Sequence, residues 1–553
     1  MWGLKISFYL VFIFVVCAHL FMHLFTDSTF MELGFYSLVS MGGLDSLCSV
    51  NLGGFGMVMS GVVVVVSVMV LGFSLMYMSE DKGFNNFIFM VMSFVSGVMI
   101  MLCFNSWYGL LLGWEILGVV SFFLIGYYFN RMSWGSGLVT IMINRMGDVG
   151  MMLLIVVLMC SMGSIVYKLD NDSLMSTMMV VVLVFIVMTK SSQFPCSGWL
   201  PLAMAAPTPV SALVHSSTLV IAGLFIIWVC DLTSSLDVLN IYLLLATLTL
   251  FSSSVSSMWE LDYKKLVALS TSIHLALMLM ILVFMGGLFM GLHMVYHALF
   301  KSLLFVLVGL LILMSFHDQD TRGLGASGGF SGWLGVLMMG CIWNLVGLTY
   351  FSGWSTKDSF MEGLLKSGMP LLSVLLMLVL LSVSFIYTYK LFVSTMSDSF
   401  MSGVVKVTNA SVFSGSMHYF SVFLGAVLLG GFSVSLLDVS ASISPFSGLE
   451  KLLYPFSGLV VGLMWWASKG KFNGPASMLH LQDLYQIIVS FIVFKTAWVW
   501  VNQEKTMYNN VESGAGGFVL SVCKPIMLLI SALDLGVWVM LLGGVLLSVM
   551  ISV

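Results

Sequence analysis

The residues that most need a chemical explanation are the ionisable side chains lying inside long apolar runs. Glu115, in Leu-Leu-Gly-Trp-Glu-Ile-Leu-Gly, is the only charge between Lys82 and Arg131. Lys190 is the only charge between Asp172 and Asp231, and Lys301 the only one between Lys265 and Asp318. Between Arg322 and Glu362 there are only Lys357 and Asp358. A charge at the centre of a bilayer costs about 2.5 to 3.5 kcal/mol or more, so such residues mark ion or proton pathways by default. Arg145 and Asp148, in Asn-Arg-Met-Gly-Asp, sit three apart on one helical face. They are expected to neutralise one another near a helix terminus, in a supporting role. Lys357 and Asp358 are adjacent and so point to different sides of a helix.

The histidines add a second pattern. His293 and His297 are four apart and Lys301 is four further on, so all three share one stripe over about 12 Å of helix rise. A row of groups that bind and release protons at helical spacing has the form of a relay. A zinc reading is weak, because no Glu follows His293 as in His-Glu-x-x-His and no third ligand is near. His215 and His274 become relay candidates only because they stand in apolar segments alongside the lysines.

The elements that position these groups follow from composition. The chain has 553 residues, 60% hydrophobic and 8% charged, with mean hydropathy +1.09. That composition excludes a string of soluble domains. Lys+Arg 20 against Asp+Glu 24 leaves no basic face for nucleic acid. Eight scattered cysteines without a Cys-x-x-Cys offer neither a cluster site nor a disulfide framework. With 46 methionines and Arg only at Arg131, Arg145 and Arg322, residue usage suits a gene read with the mitochondrial code.

At roughly 20 apolar residues per crossing, about 14 or 15 spans are predicted, near 6–26, 53–77, 86–105, 107–128, 136–160, 176–195, 205–230, 238–258, 265–286, 288–315, 330–350, 369–396, 418–437, 452–467 and 534–553. The runs are continuously apolar rather than alternating, so the fold class is all-α: a polytopic bundle and not a barrel. Charged stretches such as Glu260 to Lys265 read as short connections. From about Tyr485 to Lys524 apolar runs mix with Lys495, Gln503, Glu504, Lys505 and Glu512, a poor fit to a simple pair of spans; the stretch could instead lie along a surface or along other helices.

Four of the nine prolines, Pro195, Pro201, Pro207 and Pro209, cluster between Lys190 and His215. A second break is predicted at Gly347 to Gly353, beside Lys357. Irregular backbone within a membrane survives only where protein or a water-filled cavity solvates it, which is how transporters build ion sites. Two units of lysine plus helix break, about one bundle apart, suggest a repeated architecture.

The sequence resembles the NADH–ubiquinone oxidoreductase chain 5 family of antiporter-like subunits of respiratory complex I. The resemblance rests on Gly-Trp-Glu-Ile-Leu-Gly (113–118), Asn-Arg-Met-Gly-Asp (144–148), Pro-Thr-Pro-Val-Ser-Ala-Leu-Val-His-Ser-Ser-Thr (207–218), Asp-Tyr-Lys-Lys-Leu-Val-Ala-Leu-Ser-Thr-Ser (262–272), His-Ala-Leu-Phe-Lys-Ser (297–302) and Lys-Asp (357–358), in family order over about 80 to 360. It implies a proton-translocating membrane subunit of about 14–16 transmembrane helices. Two inverted five-helix repeats, each with a broken helix, form a core over 81–400. N-terminal helices occupy 1–80, peripheral helices 401–475, a lateral helix 476–533 and a terminal anchor 534–553. By motif, Glu115 matches the carboxylate that pairs with Lys190, and His215 lies on the second half of the broken helix. His293, His297 and Lys301 form the central relay, and Lys357 with Asp358 the exit. The resemblance further implies residence in the mitochondrial inner membrane beside other membrane-arm subunits, the neighbouring antiporter-like ones above all, and lipid. NADH, FMN, iron–sulfur clusters and ubiquinone are expected in partner subunits, with no cofactor or metal in this chain.

Desolvation works against a charged amine and a nearby carboxylate works for it. Unit charges about 6 Å apart at an effective dielectric of about 20 interact by about 2.8 kcal/mol. Moving one proton against about 200 mV needs about 4.6 kcal/mol, so two such toggles in series suffice. A free-standing cation/proton antiporter and a non-conducting structural subunit remain alternative readings of the same residues.

Overall fold

In the computed structural model the described residues are 33–34, 49–50, 54–79, 81–104, 107–162, 174–230, 236–315, 318–320, 332–347, 351–366, 385 and 387–392. The chain divides into two compact units, Met1–Pro475 and Ala476–Val553, and every described residue belongs to the first. The predicted spans near 6–26, 418–437, 452–467 and 534–553, the lateral helix and almost all of 369–396 lie outside the described residues.

The described part is helical, apart from two-residue strands Leu33–Gly34 and Ser49–Val50, which pair antiparallel. The helices are α1 (Gly54–Tyr77), α2 (Phe84–Cys103), α3 (Trp107–Ile125), α4 (Arg131–Met162), α5 (Leu174–Lys190), α6 (Trp199–Ala203), α7 (Thr208–Leu213), α8 (Leu219–Cys230), α9 (Leu236–Trp259), α10 (Tyr263–Met285), α11 (Gly287–Met314), α12 (Gly332–Val346) and α13 (Ser352–Lys366). Among the described residues, 8 helices are long and apolar enough to cross a membrane. This is a multi-pass all-α membrane protein. A helix meets its own backbone hydrogen-bonding needs, the condition hydrocarbon imposes.

Helices α10 and α11 form the centre. Almost every residue of α10 from Tyr263 to Leu282 is buried, as expected of a helix apolar on all sides. A single residue, Gly286 at φ 89, joins the two. Only glycine takes that backbone conformation cheaply, and the reversal there lays α11 back along α10. Helices α1, α7, α12 and α13 pack on α11, while α9 packs on α10. Outer helices keep an exposed apolar face, with Phe89 on α2, Val149 and Leu153 on α4 and Phe251 on α9.

Both predicted breaks are present. α5 ends at Lys190, five residues short of the span predicted to 195, because Ser192 turns to φ 49 and Pro195 cannot continue the hydrogen-bond ladder. After the short α6, Pro209 sits in the first turn of α7, where its missing N–H is no loss. The helix then loosens into a π segment, Val214–Thr218, before α8. At the second break, α12 ends at Val346, Gly347 takes φ 78, and α13 begins at Ser352. Asn344 ties its two sides: the amide oxygen accepts from the Ser352 hydroxyl at 3.0 Å and from the Gly353 backbone N–H at 3.5 Å.

The connection Glu260 to Lys265 differs from its prediction. Lys265 is surface-like, pairing with Asp262 at 2.8 Å and Glu260 at 3.6 Å. Lys264, expected in a loop, is buried in the first turn of α10 and donates to the Ala206 carbonyl at 3.4 Å. The break before α7 leaves that carbonyl without a helical partner, and the lysine reaches it.

Candidate functional site

The candidate side chains fall into two polar clusters. The first joins α3, α4 and α5. Lys190, the last residue of α5, is fully buried, and a cation at a helix C-terminus is favoured by the helix dipole. Its amine donates to the Trp114 backbone carbonyl at 3.1 Å and lies 4.5 Å from the Trp114 ring centroid, within cation–π range. The Arg145 guanidinium lies 2.5 Å from Glu115 and 3.2 Å from Asp148.

Two expectations are corrected here. Glu115 is paired with Arg145 and not with Lys190. The tryptophan next to it occupies the lysine, and the longer arginine reaches the carboxylate from the more open side, with side chains 43% and 28% exposed. Arg145 and Asp148 do pair, but in the middle of α4 rather than at a helix end.

The second cluster lies between α10, α11 and α13. His293, His297 and Lys301 share one stripe of α11 as predicted, but the polar path does not run along that stripe alone. It crosses to α10. Lys301 donates to the Ser270 hydroxyl. His274, one turn on from Ser270, has its ring 5.5 Å from those of both His297 and His293. His274 Nδ1 and His293 Nε2 are 3.3 Å apart, and His293 Nδ1 is 2.7 Å from the Thr356 hydroxyl on α13. Lys357 follows Thr356, and its buried amine donates to the Leu345 and Val346 carbonyls at the end of α12. All these side chains are buried. Asp358, beside Lys357, is half-buried on another side of α13.

His215 joins neither cluster by a hydrogen bond among the described residues. It lies in the π segment, its ring 5.9 Å from that of Trp199, on a stretch that packs against both α10 and α11. Single-turn π segments concentrate at functional sites. Here Thr218 re-satisfies the loosened backbone by donating to the Leu213 carbonyl at 2.8 Å. Among the described residues no group of three or more His, Cys, Asp or Glu is placed to hold a metal ion.

Trp114, Ser270 and Thr356 were not predicted as site residues. Ser270 carried a readable signal, standing four residues before His274 on the helix facing the Lys301 stripe. Trp114 and Thr356 carried none, because each acts through contacts between distant segments.

Residues 104–382, just over half of the chain, match the family described as NADH:quinone oxidoreductase/Mrp antiporter, TM, and residues 38–88 match the N-terminus of complex I chain 5. Both clusters lie inside the first match, which defines the class as antiporter-like transmembrane subunits. NADH-ubiquinone oxidoreductase chain 5 of Caenorhabditis elegans is 35% identical over 460 residues, 82% of this chain and 84% of that one. The Mytilus edulis protein of the same name is 30% identical over 505 residues, 86% of each. The Aedes aegypti one is 36% identical over 377 residues, 66% of this chain, and that match spans 64% of the relative's length. The chain belongs to the NADH-ubiquinone oxidoreductase chain 5 family.

The fold is shared with a chain of the Mrp complex from Dietzia sp. DQ12-45-1b, at TM-score 0.68 and 17% identity, covering 92% of this chain and 60% of that one. It is also shared with a chain of the membrane-bound sulfane sulfur reductase, an archaeal respiratory membrane complex, at TM-score 0.68 and 15% identity, covering 83% and 92%.

Proposed function

We propose that this chain is a core membrane subunit of respiratory complex I, translocating protons across the inner mitochondrial membrane while electrons pass from NADH to ubiquinone in partner subunits. The observation that carries the reading is the polar run from Lys301 through Ser270, His274 and His293 to Lys357, enclosed by an apolar bundle. Such a run has no structural use that apolar packing would not serve at lower cost.

In this reading Arg145 is the moving part of the first cluster. It touches two carboxylates, Glu115 on α3 and Asp148 on its own helix. A shift of the guanidinium between Glu115 and Asp148 changes how far each carboxylate is compensated, and with it the field at the buried Lys190 amine. Charges a few ångströms apart in a low-dielectric setting trade kcal/mol-sized energies in this way. Quinone-site events elsewhere in the complex drive the shift, and the proton passes by His215 to Lys301 and on toward Lys357 and Asp358. The neighbouring antiporter-like subunits lie along residues 476–533, lipid covers the exposed apolar faces, and FMN and the iron–sulfur clusters reside in partner subunits.

The test is Glu115→Gln in the assembled complex, reading protons moved per NADH oxidised. A lowered ratio with NADH oxidation retained supports the reading, and an unchanged ratio refutes it.

A further inference from the structure

Several helical threonines in this bundle return their hydroxyls to a carbonyl one turn earlier: Thr140 to Gly137, Thr189 to Ile186, Thr247 to Leu244, Thr271 to Ala268 and Thr388 to Phe385, while Thr249 divides its hydroxyl between Ala246 and Gln193 Oε1. That is the ordinary fate of a buried hydroxyl on a helix. Thr356 turns its hydroxyl to His293 Nδ1 instead, at 2.7 Å, although both side chains are fully buried and lie on different helices. The neighbouring serines Ser355 and Ser359 make the usual backward bond, to Ser352 and Thr356. Beyond the first residue of its helix, Ser352, whose hydroxyl goes to Asn344 Oδ1, Thr356 stands apart from its neighbours.

A neutral imidazole has one donor nitrogen and one acceptor nitrogen, whereas a hydroxyl can donate or accept. The Thr356 hydroxyl therefore has two settings. Donating to His293 Nδ1, it leaves the ring proton on Nε2, which donates to His274 Nδ1. Accepting from Nδ1–H, it leaves Nε2 as an acceptor, and His274 must donate in return. Each setting of the hydroxyl fits only one tautomer of the His293–His274 pair, and passing from the first to the second requires each ring to gain a proton at Nδ1 and release one from Nε2, as happens when a proton is handed from Thr356 through His293 to His274. A chain of hydrogen bonds that has passed a proton points the wrong way for the next one; the Thr356 hydroxyl, which can donate or accept, stays paired with His293 in either direction while the rings return to their first tautomer.

The hydroxyl is also mechanically placed. Thr356 precedes Lys357, whose amine holds the last carbonyls of α12, and both stand just past the break at Gly347. Movement of Lys357 carries the hydroxyl with it.

We infer that Thr356 is a positioning residue, setting the tautomer of the His293–His274 pair and linking it to the helix segment that bears Lys357. The inference rests on the proton-path reading given above. Its test uses Thr356→Val, which keeps the shape and removes the hydroxyl, and Thr356→Ser, which keeps the hydroxyl. Each is placed in the assembled complex in proteoliposomes beside Lys301→Met, reading protons moved per NADH oxidised. The Val variant is expected to lose about fivefold or more, the low end of a typical coupling between sites, and the Ser variant to match the parent.

A Val variant at the parent ratio, or equal losses in Val and Ser, overturns the assignment. Should the Val complex fail to assemble, Thr356→Ala must show the same loss, and Ala at the parent ratio overturns it equally. A Lys301→Met complex that pumps at the parent ratio sinks the proton-path reading itself. Lys301→Met impaired with Thr356→Val normal sinks the Thr356 assignment alone.

Discussion

Arg145 lies 2.5 Å from Glu115 and, with the same nitrogen, 3.2 Å from Asp148. One cation thus bridges two carboxylates on neighbouring helices, at mid-helix. A guanidinium is always charged and more weakly hydrated than an ammonium, which suits it to a partly buried bridge of this kind.

Arg145→Lys is therefore expected to behave more like Arg145→Gln than like the parent. The two carboxylates should be energetically coupled through the arginine. In a double-mutant cycle, Glu115→Gln and Arg145→Gln should depart from additivity by about 0.5 to 3 kcal/mol in pumping rate, the range for residues sharing one ion network. Additive losses would show that Arg145 does not connect them.

Ser270→Ala is expected to slow proton movement while leaving assembly intact, since it removes the hydroxyl that receives the Lys301 amine. Hydrogen bonds to charged groups contribute about 1.5 to 3 kcal/mol, so a loss of about tenfold or more in pumping is predicted, and Ser270→Thr should restore most of it. Comparing the two variants by proton flux at equal NADH oxidation checks this. Ala at the parent rate would remove Ser270 from the path.

The stripe His293–His297–Lys301 and both helix breaks were legible, because periodicity and proline placement are local properties of a chain. The partners of Glu115 and Lys190 were not. Charge sign alone allowed either lysine or arginine to take the carboxylate. The choice was made by Trp114, which supplies both a carbonyl and a ring to Lys190, and no sequence period marks such a contact. Lys264 was misread for a related reason. A lysine in a charged stretch normally points to water, and this one is drawn inward by a carbonyl that the break 58 residues away had left open.

That difference is testable on adjacent residues. Lys264→Ala removes the buried donor to the Ala206 carbonyl and should destabilise the subunit by about 1 to 3 kcal/mol, the range for a buried polar group left unpaired. Lys265→Ala breaks only partly exposed pairs and should change stability by less than about 1 kcal/mol. Thermal unfolding of the assembled complex separates them, and equal shifts would contradict the assigned contacts.

Gly347→Ala is expected to be costly at the second break. A methyl there would meet Lys357 Cδ at 2.9 Å, and φ 78 disfavours any side chain by roughly 1 to 2 kcal/mol. The prediction is a lowered unfolding temperature together with impaired pumping, because the lysine must move to make room. Parent-like values of both would show that the Lys357 position tolerates displacement.

The central claim is that buried lysines carry the transported proton. The most direct measurement is the number of protons moved per NADH oxidised by assembled complex bearing Lys190→Met, which keeps side-chain length and removes the charge. The account predicts a complex that assembles, oxidises NADH and moves fewer protons for each electron pair. A complex that moves as many protons as the parent would contradict it.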